Sequence, residues 1–148
     1  MLTLERGVGR SIYIGNDATL VVVAVRRQGR DDDASAGDFC TVSVVAPETT
    51  AVTNDTTAVA EHARRQAAAE RAGIDDMASH EVTLSRGGGF LMGRGITVML
   101  QDFSREGAVL GISAPRHVAI SRDDFSLEEH RAFQAQRDAQ PGPAPGRR

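Results

Sequence analysis

At 148 residues the chain has room for one ordinary domain or two very small ones. Its 41% apolar and 25% charged content is that of a folded globular protein, and with aromatics at 4% and no Trp the core must be aliphatic. A formal net charge of −3 does not mark a nucleic-acid binder, although all 17 basic residues are arginine. Codon bias explains that choice most simply; the planar guanidinium fork also suits phosphate and guanine. Cys40 is the single cysteine, so no internal disulfide is possible and a reducing compartment is expected. The opening residues lack the order of a signal peptide, and no apolar run approaches the roughly 20 residues that span a bilayer. The expectation is a cytoplasmic protein that does not bind membranes.

In chain order, Met1 to Arg6 alternates, with Leu2, Leu4 and Arg6 on one face of a strand. Gly7-Val8-Gly9 is a turn, Ser11 to Ile14 a short strand, and Gly15-Asn16-Asp17 a second turn. Ala18 to Val25 is β-branched and reads as a strand buried on both faces. Residues 26–38 form a long acidic loop carrying Asp31, Asp32 and Asp33, read as solubilising rather than metal-binding. Phe39 to Val45 resumes a strand before Ala46-Pro47, and Glu48 to Val52 is extended and polar. Residues 56–72 are alanine-rich with Glu and Arg, predicting a helix capped by Asn54, Asp55 or Thr56 and stopped by Gly73. Its few large apolar residues predict loose surface docking. Residues 73–79 are a linker.

The opening pattern then returns. Leu2-Thr3-Leu4-Glu5-Arg6-Gly7-Val8-Gly9 is echoed by Val82-Thr83-Leu84-Ser85-Arg86-Gly87-Gly88-Gly89 at a shift of 80. Thr19 matches Thr97 at 78, and Ala46-Pro47 matches Ala114-Pro115 at 68. The shrinking shift predicts about two residues lost in the first turn and ten in the long loop, where length changes cost little. After the second Ala-Pro, Val118 and Ile120 alternate up to Arg122. Ser126 then caps a helix reaching about Arg137, and residues 140–148 read as a disordered tail. The expected organisation is two copies, at 1–72 and 80–139, each of five short strands and a C-terminal helix: a mainly β fold with helices.

Leu84-Ser85-Arg86, Leu110-Gly111-Ile112 before Ala114-Pro115, and Val118-Ala119-Ile120-Ser121-Arg122-Asp123-Asp124 resemble the carbon storage regulator (CsrA/RsmA) family. The first copy resembles it in residues 1–25 and more faintly beyond, where Ser43 replaces a glycine of the family. The resemblance implies an intertwined single-chain pseudo-dimer in which the first and fifth strands of each copy pair with the other copy. It implies a non-enzymatic RNA-binding regulator of translation that grips GGA-containing hairpin loops in messenger leaders. Carried over, Leu4 and Arg6 with Arg122 make one complete site. Leu84 and Arg86 face Asn54 in a degenerate second site, so one strong RNA site is expected and one weak or dead one. Messenger RNA is the implied ligand, with small regulatory RNA as a second ligand class, a protein antagonist at the C-terminal helix, and either a pseudo-dimer or a homodimer as the assembly. The competing expectation is a family-derived protein-interaction module that has lost RNA binding and pairs with or titrates other family members.

No other motif carries chemistry. Neither glycine run precedes a helix, as a phosphate loop requires. His62, His80, His117 and His130 lack metal-ligand spacing and read as solvated or capping, and no nucleophile pairing is present. No cofactor, metal or catalytic residue is expected.

Overall fold

The computed structural model describes residues 1–26, 38–105 and 107–139. The predicted acidic loop, apart from its end residues, and the predicted tail lie outside the described residues. The strands are β1 (Leu2–Gly7), β2 (Ser11–Ile14), β3 (Ala18–Arg26), β4 (Phe39–Pro47) and β5 (Val52–Thr53), followed by helix α1 (Val59–Ala72). Then come β6 (Met77–Leu84), β7 (Gly89–Met92), β8 (Ile96–Phe103), β9 (Gly107–Ser113), β10 (Ile120–Arg122) and α2 (Leu127–Ala139). β6 begins inside the stretch read as a linker. Met77 to His80 pair with Pro47 back to Val44, because an open β4 edge offers a ladder that outweighs a weak local pattern.

The strands form two antiparallel five-stranded sheets, ordered β1-β9-β8-β7-β5 and β10-β2-β3-β4-β6. Each sheet takes three consecutive strands from one half of the chain and is edged by the first and fifth strands of the other. One core, aliphatic but for Phe90 and Phe103, includes Ile12, Leu20, Val42, Leu100 and Leu110 and draws on both sheets. β3 does not bury both faces. Ala18, Leu20 and Val22 point into the core, whereas Val23 is exposed beside a bulge between Val22 and Ala24. The pleat gives this sheet one dry face, and β-branching on the other face serves strand formation.

The two halves repeat each other in detail. Thr19 pairs with Val45 and Thr97 with Ser113, so β3 and β8 correspond at an offset of 78 residues and β4 and β9 at 68. The same offset of 78 holds through the first turn. The Gly9 N–H donates to the Val22 carbonyl at 2.7 Å and the Gly87 N–H to Leu100 at 2.8 Å, with φ of 86° at both glycines. The two-residue loss expected in that turn does not occur. The ten-residue difference does fall between β3 and β4.

Neither helix docks by an apolar stripe. The buried residues of α1 are His62 and Gln66, and those of α2 are His130 and Gln134, again 68 apart. A carbonyl can only accept, so His130 Nε2–H donates to Gly15 O at 2.6 Å and Nδ1 accepts from the Ser121 hydroxyl at 2.8 Å. His62 likewise donates to Gly93 O at 2.8 Å and accepts from the Thr53 hydroxyl at 2.7 Å. Gln134 accepts from the Ala119 N–H and donates to His117 O; Gln66 accepts from the Ala51 N–H and donates to Thr49 O. These two histidines are therefore buried struts, not solvated groups. Ser126 and Glu129 form the expected capping box on α2. Ala58 precedes α1 and gives it no side-chain cap; Asp55 instead closes a turn on Thr57. Gly73 ends α1 in the left-handed conformation, as expected.

Candidate nucleic-acid interface

The edge strands β1 and β10 belong to different sheets and meet at one seam. β1 lies flush on β9 because Gly107 faces Gly7; a side chain at Gly107 would run into the Arg6 carbonyl. Leu4 is half-buried against the core, and Arg6 turns across the seam. Its Nη1 donates to Asp123 Oδ1 at 2.6 Å and its Nε to the Glu5 carbonyl at 2.8 Å. The β1–β2 turn brings Arg10 back to the same place. Arg10 Nη2 lies 2.8 Å from Asp123 Oδ1 and 2.8 Å from Asp124 Oδ1. Arg122, at the end of β10, pairs with Asp124 Oδ2 at 2.8 Å.

Three guanidinium groups thus share two carboxylates. The Arg6 side chain is only 9% exposed, whereas those of Arg10 and Arg122 are 49% and 46% exposed. The Asp123 carboxyl is held below the usual carboxylate range, first by the Arg10 hydrogen bond, then by the Ser11 N–H and the charges of Arg10 and Arg6, against the opposing effect of burial. Glu5, Arg6, Arg10 and Arg122 line one groove here, and Leu2, Leu4, Arg122, Phe125 and Phe133 line a second. Leu4, Arg6 and Arg122, from opposite ends of the chain, are therefore brought together. Sequence reasoning missed Arg10 and the two aspartates. The Arg122-Asp123-Asp124 run was visible, but nothing local says that a hairpin returns Arg10 onto it.

The opposite seam is built differently. Arg6 pairs with Ala108 on β9, and the corresponding place on β4, Cys40, pairs with Leu84. Leu84, not Arg86, therefore stands where Arg6 stands, and Val82 stands where Leu4 stands. The expected matching of Leu4 with Leu84 and Arg6 with Arg86 is displaced by two residues, because LxLxR recurs by letter but not by register. Gly88 occupies the place of Arg10, and Asn54 stands where Arg122 stands, as expected. Leu84 is buried and Asn54 exposed. Arg86 sits in the β6–β7 turn, paired with Asp102 at 3.0 Å and 5.7 Å from the centre of the Phe103 ring. No guanidinium occupies any of the three equivalent positions at this seam.

Burial pushes the Cys40 thiol up to about 11, which suits a core residue rather than a nucleophile. Among the described residues no group of three or more His, Cys, Asp or Glu could hold a metal ion, and no helix is long and apolar enough to cross a membrane. The chain matches no protein-family model, no curated protein and no solved structure.

Proposed function

We propose that the chain is a non-enzymatic, RNA-binding post-transcriptional regulator, a single-chain counterpart of a carbon storage regulator dimer, reading GGA-type loops in messenger leaders. The observation that carries this reading is the convergence of Leu4 and Arg6 from β1 with Arg122 from β10 at one seam. Strand exchange between the halves supports it, being the arrangement the family resemblance implies. Unpaired loop bases expose both hydrogen-bonding edges. Arg10 and Arg122 have the exposure to reach guanine O6 and N7, and carboxylates match the N–H groups of its other edge. Arg6, buried and tied to Asp123, holds the frame. The site is close to neutral, so it suits base reading more than phosphate clamping, and binding should show a modest salt slope.

One observation favours the alternative, a protein-interaction module that pairs with or titrates family members. Each guanidinium of the cluster already holds a carboxylate, and Glu5 at the rim brings the acids level with the arginines. Titration of a GGA hairpin separates the two. The RNA reading expects one hairpin per chain and a loss of about 5- to 150-fold in affinity for Arg122→Ala, the effect of about 1–3 kcal/mol from one guanidinium fork. Unchanged affinity in that variant would transfer the case to the interaction module, and two equal sites per chain would refute the single-seam assignment.

A further inference from the structure

We infer that the groove between β1 and α2 is a stacking site for one unpaired base flanking the segment read at the arginine seam; this rests on the RNA reading above. Phe125 and Phe133 meet edge to face, with ring centres 5.3 Å apart and planes at 86°. Both rings remain substantially open, at 42% and 38% exposure, and Leu2 beside them is open too. An edge-to-face pair leaves π surface free for a third ring. The charged residues lining the groove are Arg122 and Arg137, with no carboxylate among the lining residues. Arg137 is steadied by donating to the Arg116 carbonyl at 2.6 Å. Arg122 also lines the adjoining groove with Arg6 and Arg10, so a strand leaving the arginine seam passes directly onto the rings.

The other half of the molecule shows that the rings are not needed to dock the helix. At the offsets established above, Thr57 and Arg65 stand in the places of Phe125 and Phe133, His80 in that of Leu2, and Ala69 in that of Arg137. Arg65 there is paired with Glu61. α1 nevertheless docks through the same His–Gln struts as α2. Aromatic surface and guanidinium cluster occur at the same seam, and at the equivalent positions of the other neither the phenylalanine pair nor the cluster recurs. Charge complementarity with a polyanion and the sequence tolerance of stacking make single-stranded RNA the occupant.

The test compares a GGA hairpin with and without a short single-stranded adenosine tail, placed 5′ in one RNA and 3′ in another. For the wild-type chain one tail is expected to raise affinity about 5- to 150-fold, the effect of stacking one base. 2-Aminopurine at one tail position is expected to be quenched. Phe125→Ala/Phe133→Ala should keep the affinity for the tail-less hairpin and lose both the tail increment and the quenching. Phe125→Leu/Phe133→Leu, which keeps apolar volume but removes the π face, should lose most of the increment and guards against a folding defect in the alanine pair. A tail increment equal in wild type and variants, or none in either orientation, would overturn the stacking site while leaving the arginine seam intact. Failure of the wild type to bind the tail-less hairpin would remove the RNA reading and this inference together.

Discussion

Asp123 does two jobs at the seam: it accepts from Arg6 and Arg10, and it receives the Ser11 N–H at 2.9 Å. It therefore ties β10 to both β1 and β2. Because its carboxyl is held below its ordinary value, the stability it adds is fully present above the unfolded pKa of about 3.9 and is lost as pH falls through the depressed folded value. Asp123→Asn should melt at a lower temperature than wild type at pH 7, and the gap should narrow on acidification below about pH 4. Thermal melts from pH 7 down to pH 2 check this, and a gap constant across that range would show that the charge is not the source. At this scale the sequence was legible where a motif names its own residues, as at Leu4, Arg6 and Arg122. It misled where letters repeat without register: Arg86 looks like a second Arg6, but the ladder puts Leu84 there. Spacing within one strand cannot reveal which partner residue lies opposite.

The helices show how an element can be positioned by polar groups. Each presents a histidine and a glutamine that satisfy the irregular backbone beside its own fifth strand and at the other half's second turn. The His62/His130 and Gln66/Gln134 pairs lie at the same 68-residue offset as the Ala-Pro corners, so the signal was present in the sequence. It is hard to read because a buried histidine usually announces itself by an apolar context, and these helices are Ala-, Glu- and Arg-rich. Gln134→Leu would leave the Ala119 N–H and the His117 carbonyl without partners and should cost about 1–3 kcal/mol. The midpoint of urea unfolding should fall while the slope stays the same. Hydrogen exchange should rise at Ala119 and along α2 ahead of the sheets. A neutral substitution would mean that Gln134 is not a strut. Gly111 and Ser43 teach a similar lesson in exchange. The second half leaves room there for Met1 and Gln101, and the first fills the same place with a Ser43–Ser79 hydroxyl pair at 3.0 Å.

Across the whole molecule, the two halves of the chain are not two structural domains. β1 reaches β9 through pairs such as Leu2 with Ile112, and β6 reaches back to β4, so each sheet is completed by the half that does not supply its centre. The exchange itself cannot be read from strand patterns, which name strands but not partners. Its energetic consequence is that an isolated half exposes the open sides of its three central strands and strands β1 and β5, or β6 and β10, without ladders. Such a half should not persist as a folded monomer, and the intact chain, dominated by pairings of high sequence separation, should fold slowly and in one transition. The span from Gly73 to Asp76 joins the halves and is exposed, so a protease site can be placed there. After cleavage the two fragments should still co-elute on size-exclusion chromatography and keep the far-UV spectrum of the intact protein. In urea, the fluorescence of Tyr13, which lies only in the β2 sheet, should change together with the far-UV signal from both sheets. Fragments that part in native buffer, or a Tyr13 transition separated from the bulk one, would show instead that the halves fold independently and that the strand exchange does not hold them together.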